Sequence, residues 1–293
     1  MACKINTCKG VKISFPSNVR QIALYGKGGI GKSTIACHIS VALSKMGYKV
    51  LQVGCDPKRD STRLLMNGKM IPTILEKLRE ANMNHEKVRL KDVVFQGYGG
   101  VLCAESGGPE PGVGCGGRAV ITALEFLRAK KAFEKLNLDV VIYDILGDVV
   151  CGGFAQPIQR GYAREVYIVT SGEFMSLYAA NNLCFALKRF NIFGARLGGI
   201  IGNLRNVPNE EETIESFANY VGTKVTGFIP RMREILEADK LGKTVFEVSP
   251  NSRAAKIFEK LAKNIIKNGE TIVPTPLEHE KIIKFAYIST TAI

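Results

Sequence analysis

GKGGIGKST occupies residues 26–34, namely Gly26, Lys27, Gly28, Gly29, Ile30, Gly31, Lys32, Ser33 and Thr34. The run fits the P-loop pattern G-x-x-x-x-G-K-[ST], in which backbone N–H groups close around phosphate oxygens. An apolar stretch at 21–25 predicts a strand before it, and residues 34–46 predict a helix after it, which is the context the motif requires. We therefore expect Lys32 to reach the β- and γ-phosphates of a nucleotide and Ser33 to offer its hydroxyl to Mg²⁺.

Two further predicted strands run into acidic residues, where an α/β nucleotide site places its metal and water ligands. The strand at 49–54 leads to Asp56 and Asp60, and the strand at 138–144 ends in Asp144, the Walker B pattern. Asp144 is a candidate for the Mg²⁺ shell, and Asp148 is placed to hold or deprotonate the attacking water. The alternative for Asp56 and Asp60 is an Asp-Pro turn followed by a helix cap.

Strands and helices alternate along the rest of the chain. Strands are predicted at 101–103, 165–170, 197–203 and 224–229, and helices at 61–66, 71–82, 119–131, 174–191, 210–221, 231–240 and 252–268. This alternation indicates an α/β fold with a doubly wound, mainly parallel sheet. We expect residues 1–19 to form an N-terminal extension, residues 20–276 a single ATPase domain and residues 277–293 a C-terminal tail.

The composition constrains the compartment and the partners. The chain has 293 residues, 46% of them hydrophobic, and a formal net charge of +13. Because no apolar run approaches about 18 residues and no secretory signal stands out, we expect a cytoplasmic protein without a membrane partner. The lysines are spread along the chain rather than in a block, so a solvated surface is favoured over a nucleic-acid footprint.

The eight cysteines, in a reducing compartment, are expected to be metal ligands or buried thiols rather than disulfides. Cys115 ends a Gly/Pro-rich run just before the predicted helix at 119–131, where the helix dipole favours a thiolate. Cys151 lies three residues after Asp148 in a glycine-rich turn. The remaining thiols carry no metal prediction: Cys3 and Cys8 are interpreted as free, and Cys37, Cys55 and Cys184 as core residues.

Five segments together resemble the nitrogenase iron protein and its reductase relatives. They are GKGGIGKST at 26–34, GCDPKRDSTRLL at 54–65, ESGGPEPGVGC at 105–115, YDILGDVVCGGFA at 143–155 and YAANN at 178–182. The resemblance extends over roughly residues 21–276. It implies a P-loop NTPase of the class with a second, signature lysine, here Lys27, which reaches across a homodimer to the partner's phosphates.

The resemblance also implies roles for individual residues. Cys115 and Cys151 match the cluster ligands, so that two subunits would share one [4Fe–4S] cluster. Asp56, Lys58 and Asp60 match the first switch, Asp144 and Asp148 the second, and Asn203, Pro230 and Arg231 the purine neighbourhood of MgATP. Arg118 matches an arginine that some members carry as an ADP-ribosylation site, and Cys103 a cysteine near the cluster that is not a ligand.

The activity implied is ATP-dependent transfer of low-potential electrons from ferredoxin or flavodoxin to a larger nitrogenase or nitrogenase-like component. Several features depart from nitrogen-fixing members: the +13 charge, the longer extension, the run Cys115-Gly116-Gly117-Arg118-Ala119 and Met232 in place of aspartate. A partner that reduces a tetrapyrrole or a thioether is therefore an alternative. A more distant one is a partition-type ATPase that binds DNA or membrane, which shares the P-loop but needs no cysteine pair.

Overall fold

A computed structural model of the chain describes residues 18–109, 116–147, 155–283 and 285. Cys3, Cys8, Cys115, Asp148 and Cys151 lie outside the described residues. The strands of the described chain are β1 (Arg20–Tyr25), β2 (Val50–Cys55), β3 (Phe95–Gln96), β4 (Leu102–Glu105), β5 (Val140–Ile145), β6 (Glu165–Thr170), β7 (Arg196–Asn203) and β8 (Val225–Ile229). The helices are α1 (Lys32–Lys45), α2 (Ile74–Glu80), α3 (Gly116–Ala129), α4 (Ala132–Lys135), α5 (Gln156–Gln159), α6 (Phe174–Arg189), α7 (Glu210–Tyr220), α8 (Arg233–Lys240), α9 (Val245–Val248) and α10 (Arg253–Lys267).

The strands form one sheet of order β3-β4-β2-β5-β1-β6-β7-β8. Every neighbouring pair is parallel except β3 and β4, which are antiparallel. Because β1 lies inside the sheet and connects outward to β2, while β6, β7 and β8 continue on its other side, the chain changes winding direction at β1. The predicted doubly wound, mainly parallel α/β fold is confirmed, and ligands in such sheets bind at the carboxyl ends of strands near this point.

Both faces of the sheet are covered, as the strand sequences require. In β1, Ala23 and Tyr25 pack into the cluster on the face that carries α3, α6 and α7, whereas Ile22 and Leu24 pack into the cluster beneath α1 and α10. The side chains of a strand alternate between the two faces, and parallel sheets are buried on both. This explains why these strands are continuous apolar runs rather than alternating ones.

Three local predictions needed correction. Residues 61–68 form successive turns instead of a helix over 61–66, and Asn67 and Gly68 end the segment with φ of 55° and 79°. The helix predicted over 71–82 begins only at Ile74, because Thr73 and Glu76 form a capping box. The antiparallel edge strand β3 was not predicted, since a two-residue strand leaves no periodicity to detect.

The segment after Pro276 packs against the domain. The side-chain amide of Asn181 on α6 donates to the carbonyl of Leu277 at 2.8 Å, and the Leu277 N–H donates back to the amide oxygen at 2.8 Å. Leu277 and Ile282 are buried in the same core as α6. The division of the chain at 19/20 and 276/277 stays a prediction.

Candidate nucleotide site

The P-loop has the backbone conformation that phosphate binding needs. Gly29 and Gly31 have φ of 75° and 99°, in the left-handed region where a side chain would be strained. Gly31 caps α1 without a side chain, and the described residues place no acidic group in the first turn of that helix. The first N–H groups of α1 are therefore left to bind an anion at the positive end of the helix dipole.

Two residues at the end of β7 support the loop from the side. The Asn203 amide donates to the Ile30 carbonyl at 2.6 Å, and the Arg205 guanidinium donates to the Gly29 carbonyl at 2.9 Å. Both hydrogen bonds are made to carbonyl oxygens of the loop. The backbone N–H groups of the loop therefore stay available to the cleft. Asn203 was predicted near the purine, and it lines the cleft next to Gly29 and Gly31 of the P-loop. Its bond to the loop could not be predicted from the sequence.

Lys32 is the buried cation of the site. Its side chain is only 7% exposed, and its ammonium donates to the Lys27 carbonyl at 3.2 Å. Burial lowers the pKa of Lys32, while the carboxylates of Asp144, Asp56 and Asp60 act in the opposite direction. The motif predicts that Lys32 binds a phosphate. The negative charge of that phosphate would offset the cost of burying the ammonium group.

Asp144 supplies a carboxylate that fits a metal shell. It lies at the C-terminal end of β5 and is 3% exposed, and its Oδ2 has no hydrogen-bond partner among the residues described. A buried carboxylate oxygen without a partner is costly unless a ligand completes it. Mg²⁺ prefers oxygen ligands, and Ser33 lines the adjoining cleft, so the donors present fit Mg²⁺ together with phosphate oxygens.

Asp56 and Asp60 both line the cleft that Lys32 and Ser33 line, a space of about 300 Å³. Asp56 accepts a 2.9 Å hydrogen bond from the Lys58 N–H, so it forms the turn named as the alternative and still lines the cleft. Burial raises the pKa of the Asp56 carboxyl. The cleft is lined by Gly28, Gly29, Gly31, Lys32, Ser33, Thr34, Asp56, Lys58, Asp60, Ser61, Arg63, Leu64, Leu146 and Asp239.

The remaining loop residues support the cleft without lining it. Gly26 and Ile30 are buried, and a Cβ on Gly147 would lie 1.9 Å from the Gly26 carbonyl oxygen. The loop after β5 thus lies directly against the P-loop, and only glycine fits there. Lys27 is exposed and is not part of the lining, so within this single chain it does not reach the phosphate cleft.

A second lobe of about 240 Å³ continues from the first. It shares Gly29, Gly31, Thr34 and Asp239 with the phosphate lobe, and its other walls are more apolar. The predicted Asn203, Pro230 and Arg231 line it, together with Ile35, Leu204, Arg205, Met232, Ile235 and Leu236. A polar lobe that leads into an apolar one has the shape of a site for a nucleotide triphosphate and its base. Ile235, Leu236 and Asp239 were missed because their helix carries no nucleotide motif.

The four described cysteines are unsuited to an iron–sulfur cluster. Cys37, Cys55, Cys103 and Cys184 are buried and unpaired, and burial raises the pKa of each thiol, to about 12 for Cys37. A cluster needs thiolates grouped around it, and the described residues contain no group of three or more potential metal ligands. The prediction that Cys37, Cys55 and Cys184 are core thiols is confirmed.

Arg118 is exposed in the first turn of α3.

Comparison with known proteins gives a consistent result. A family model described as "4Fe-4S iron sulfur cluster binding proteins, NifH/frxC family" matches residues 20–290. The chain is 51% identical over 271 residues to the nitrogenase iron protein of Methanospirillum hungatei, covering 92% of this chain and 95% of that protein. It is 49% identical over 269 residues to nitrogenase iron protein 2 of Paenibacillus durus, covering 92% and 91% respectively.

Solved structures with the same fold include a MinD protein and a ParA family ATPase. The septum site-determining protein MinD of Pyrococcus horikoshii, complexed with Mg-ADP, has a TM-score of 0.65 at 22% identity over 85% of this chain and 96% of that chain. A ParA family ATPase of Chlorobium tepidum has a TM-score of 0.63 at 21% identity, with 84% and 99% covered. At such identities the likeness concerns the fold alone. In the described residues no helix is long and apolar enough to cross a membrane.

Proposed function

The chain belongs to the NifH/frxC family of 4Fe-4S cluster-binding proteins, and on this premise we propose that it is a homodimeric reductase that couples MgATP hydrolysis to the delivery of low-potential electrons. It is an ATP-dependent oxidoreductase component of the nitrogenase type. The observation that carries the proposal is that the buried Lys32 ammonium, which lines the cleft, interacts electrostatically with Asp144, whose Oδ2 has no partner among the described residues. Such a pair is suited to a triphosphate with its metal ion.

Each residue predicted to bind or hydrolyse the nucleotide has a defined task in this proposal. Lys32 and the N–H groups of Gly26 to Thr34 hold the β- and γ-phosphates, while Ser33 and Asp144 hold Mg²⁺. Asp148 orients or deprotonates the attacking water. Asp56, Lys58 and Asp60 contact the terminal phosphate and its water, and Asn203, Pro230 and Arg231 flank the base. Lys27 of each subunit reaches the partner's phosphates, which accounts for its position outside the cleft of a single chain.

The thiolates of Cys115 and Cys151 from two subunits would hold one [4Fe–4S] cluster, four ligands in all. A cluster of this type accepts and donates single electrons at low potential. Ferredoxin or flavodoxin is the proposed donor. Asp144, Asp148 and Cys151 lie on one continuous stretch of eight residues, so we propose that nucleotide binding at one end alters the position of the thiol at the other. Arg118, exposed near the start of α3, is the proposed site of ADP-ribosylation.

The electron acceptor is proposed to be a larger catalytic component. The curated relatives named nitrogenase iron proteins favour nitrogenase, whereas the longer N-terminal extension and the run Cys115-Gly116-Gly117-Arg118 favour a component that reduces a tetrapyrrole. A component that reduces a thioether is a further alternative. Purified nitrogenase and nitrogenase-like components, each mixed with this protein, MgATP and a reductant, would distinguish these acceptors. We expect turnover with one class only.

Iron release to a chelator tests the coupling. Anaerobically purified protein should be brown, and iron should be released faster with MgATP than with MgADP, because the two nucleotides weight two conformational states differently. Equal rates with MgATP, with MgADP and without nucleotide, once binding of both is confirmed, would contradict coupling. Colourless protein without iron after anaerobic reconstitution would contradict the cluster itself.

A further inference from the structure

Glu105 connects two segments that the proposed chemistry treats separately. It is the last residue of β4 and is fully buried. Its Oε1 accepts two hydrogen bonds from Thr62, one from the backbone N–H and one from the hydroxyl, both at 2.7 Å. Thr62 directly follows Ser61 in the run of cleft-lining residues that begins at Asp56. One carboxylate oxygen therefore holds Thr62 within residues 56–64, the segment that lines the phosphate cleft.

The packing around this bond leaves no free space. A Cβ on Gly54 would lie 1.9 Å from Oε2 of Glu105 and 2.6 Å from Cβ of Ser61. The Ser106 N–H donates to the Gly54 carbonyl at 2.8 Å. Three residues after Glu105, a Cβ on Gly108 would lie 2.5 Å from Cβ of Pro57. Residues 105–108 are thus packed closely against residues 54–62 at Gly54 and at Pro57.

The second oxygen of Glu105 argues against a purely stabilising role. Oε2 is buried without a hydrogen-bond partner among the described residues, and burial raises the pKa of the carboxyl to about 8 despite the two bonds from Thr62. A partnerless buried carboxyl oxygen reduces stability, and an apolar residue of similar size would avoid that cost. A carboxyl group at this position is explained by the two hydrogen bonds that its other oxygen, Oε1, accepts from Thr62.

We infer that Glu105 is a positioning residue that transmits nucleotide-dependent movement of residues 56–62 to residues 105–109. Residue 109 is followed after six positions by Cys115. This route runs from the Asp56 side of the cleft toward the first predicted cluster cysteine, and it is separate from the stretch that joins Asp144 to Cys151. The inference rests on the proposed nucleotide site.

Hydrogen–deuterium exchange of the full-length protein tests the inference, because it needs no electron-transfer activity. Exchange of peptides covering 56–66 and 102–109 is measured with MgATP, with MgADP and without nucleotide. In the wild type we expect MgATP and MgADP to give different rates in both peptides. A coupling free energy of ordinary size corresponds to a difference of about 5-fold or more.

Matched variants separate transmission from folding. Thr62→Val removes the hydroxyl donor and Glu105→Met removes both acceptors; both should keep the nucleotide response of 56–66 and lose most of that of 102–109. Thr62→Ser and Glu105→Gln keep the hydrogen bonds and should restore the response. Glu165→Gln changes a largely buried carboxylate that pairs with Arg20 at the opposite end of the sheet, and it should respond like the wild type.

The outcomes distinguish the inference from the function on which it rests. If wild-type 56–66 responds to nucleotide and 102–109 does not, or if Thr62→Val and Glu105→Met leave both responses intact, the inference is wrong and the proposed function stands. If MgATP neither binds nor changes exchange at 56–66, the proposed function fails and the inference fails with it.

Discussion

Arg63 and Asp239 form an ion pair across the cleft, with 2.7 Å between Nη2 of the arginine and Oδ1 of the aspartate. Arg63 lies in the turns of residues 61–68 and lines the phosphate lobe, and Asp239 lies on α8 and lines both lobes. The two walls also approach where a Cβ on Gly242 would lie 2.5 Å from Cα of Gly68. The pair therefore links the walls beside the position proposed for the nucleotide.

Breaking this ion pair should weaken nucleotide binding modestly. Both side chains are about a third exposed or more, so the pair is worth about 0.2–1 kcal/mol, and Arg63→Met should raise the Kd for MgADP by roughly 1.4- to 5-fold. Titration calorimetry measures this Kd. Asp239→Asn should give a similar loss, with little further loss in the double variant. Arg233→Met, which breaks the exposed pair with Glu237 on α8, should leave the Kd unchanged; an equal effect there would show that the cross-cleft pair has no special role.

Replacing either proposed cluster cysteine should abolish iron binding. Cys115→Ser and Cys151→Ser each remove two of the four thiolates from a symmetric dimer, which leaves too few ligands for a [4Fe–4S] cluster. Iron content and visible absorbance are the measurements. Cys184→Ala, at a buried thiol whose pKa is raised by burial, should retain its iron. Four irons per dimer in Cys151→Ser would disprove the assignment.

Asp148→Asn should reduce ATP hydrolysis far more than ATP binding. A group that orients or deprotonates water contributes roughly 10²- to 10⁴-fold to the rate, whereas Lys32 and the loop N–H groups hold the phosphates. The turnover number and the Kd for MgATP are measured separately. Asp139→Asn, an exposed aspartate that accepts from the Lys49 N–H, is the matched control and should change neither. Parallel losses of affinity and turnover in Asp148→Asn would point to a binding role instead.

His38 should make the protein less stable in mild acid. Its Nδ1–H donates to the Thr34 carbonyl at 2.7 Å, and its Nε2 accepts from the Val245 N–H at 3.0 Å. Both nitrogens are thus used by the neutral ring, and burial lowers the pKa of His38 to about 4. The unfolded chain takes up a proton near pH 6.5 and the folded protein does so only near pH 4. The neutral His38 ring therefore contributes fully to the free energy of unfolding above pH 6.5, and this contribution is lost as the pH falls toward 4.

Urea unfolding at pH 7.5 and pH 5.0 tests this prediction. The wild type should lose about 2 kcal/mol more than His38→Gln over that interval, since each pH unit between the two pKa values is worth about 1.4 kcal/mol. Carboxylates that titrate in both proteins cancel in the comparison. An identical pH dependence in the two proteins would show that His38 titrates normally when folded.

The formal net charge of +13 should not produce tight binding to nucleic acid. The basic residues are spread along the chain, and α10 carries an exposed row of them at helical spacing, with Lys256, Lys260, Lys263 and Lys267. Duplex DNA should bind weakly and be released by physiological salt. A sub-micromolar, length-dependent affinity that survives physiological salt would instead indicate many phosphate contacts, and would favour the partition-type alternative.

The fold class and the phosphate side of the site could be predicted because their signals are local. The glycine spacing of 26–34 requires a loop between a strand and a helix, and the apolar run ending in Asp144 requires a buried strand whose carboxyl end meets that loop. The family resemblance added the cysteines, the switch residues and the purine neighbourhood. Residue type and spacing carry this information before the chain folds.

The contacts that complete the cleft are long-range, and only the three-dimensional arrangement of the chain determines them. Arg63 and Asp239 are 176 positions apart, and Glu105 and Thr62 are 43 apart. The apolar pattern at 61–66 favoured a helix, yet these residues form turns, because the N–H and hydroxyl of Thr62 bond to Glu105 and the segment ends in left-handed residues. A side chain's local preference is worth a fraction of a kcal/mol, whereas satisfying buried polar groups is worth more. Tertiary contacts therefore outweigh local preference at the edge of the site.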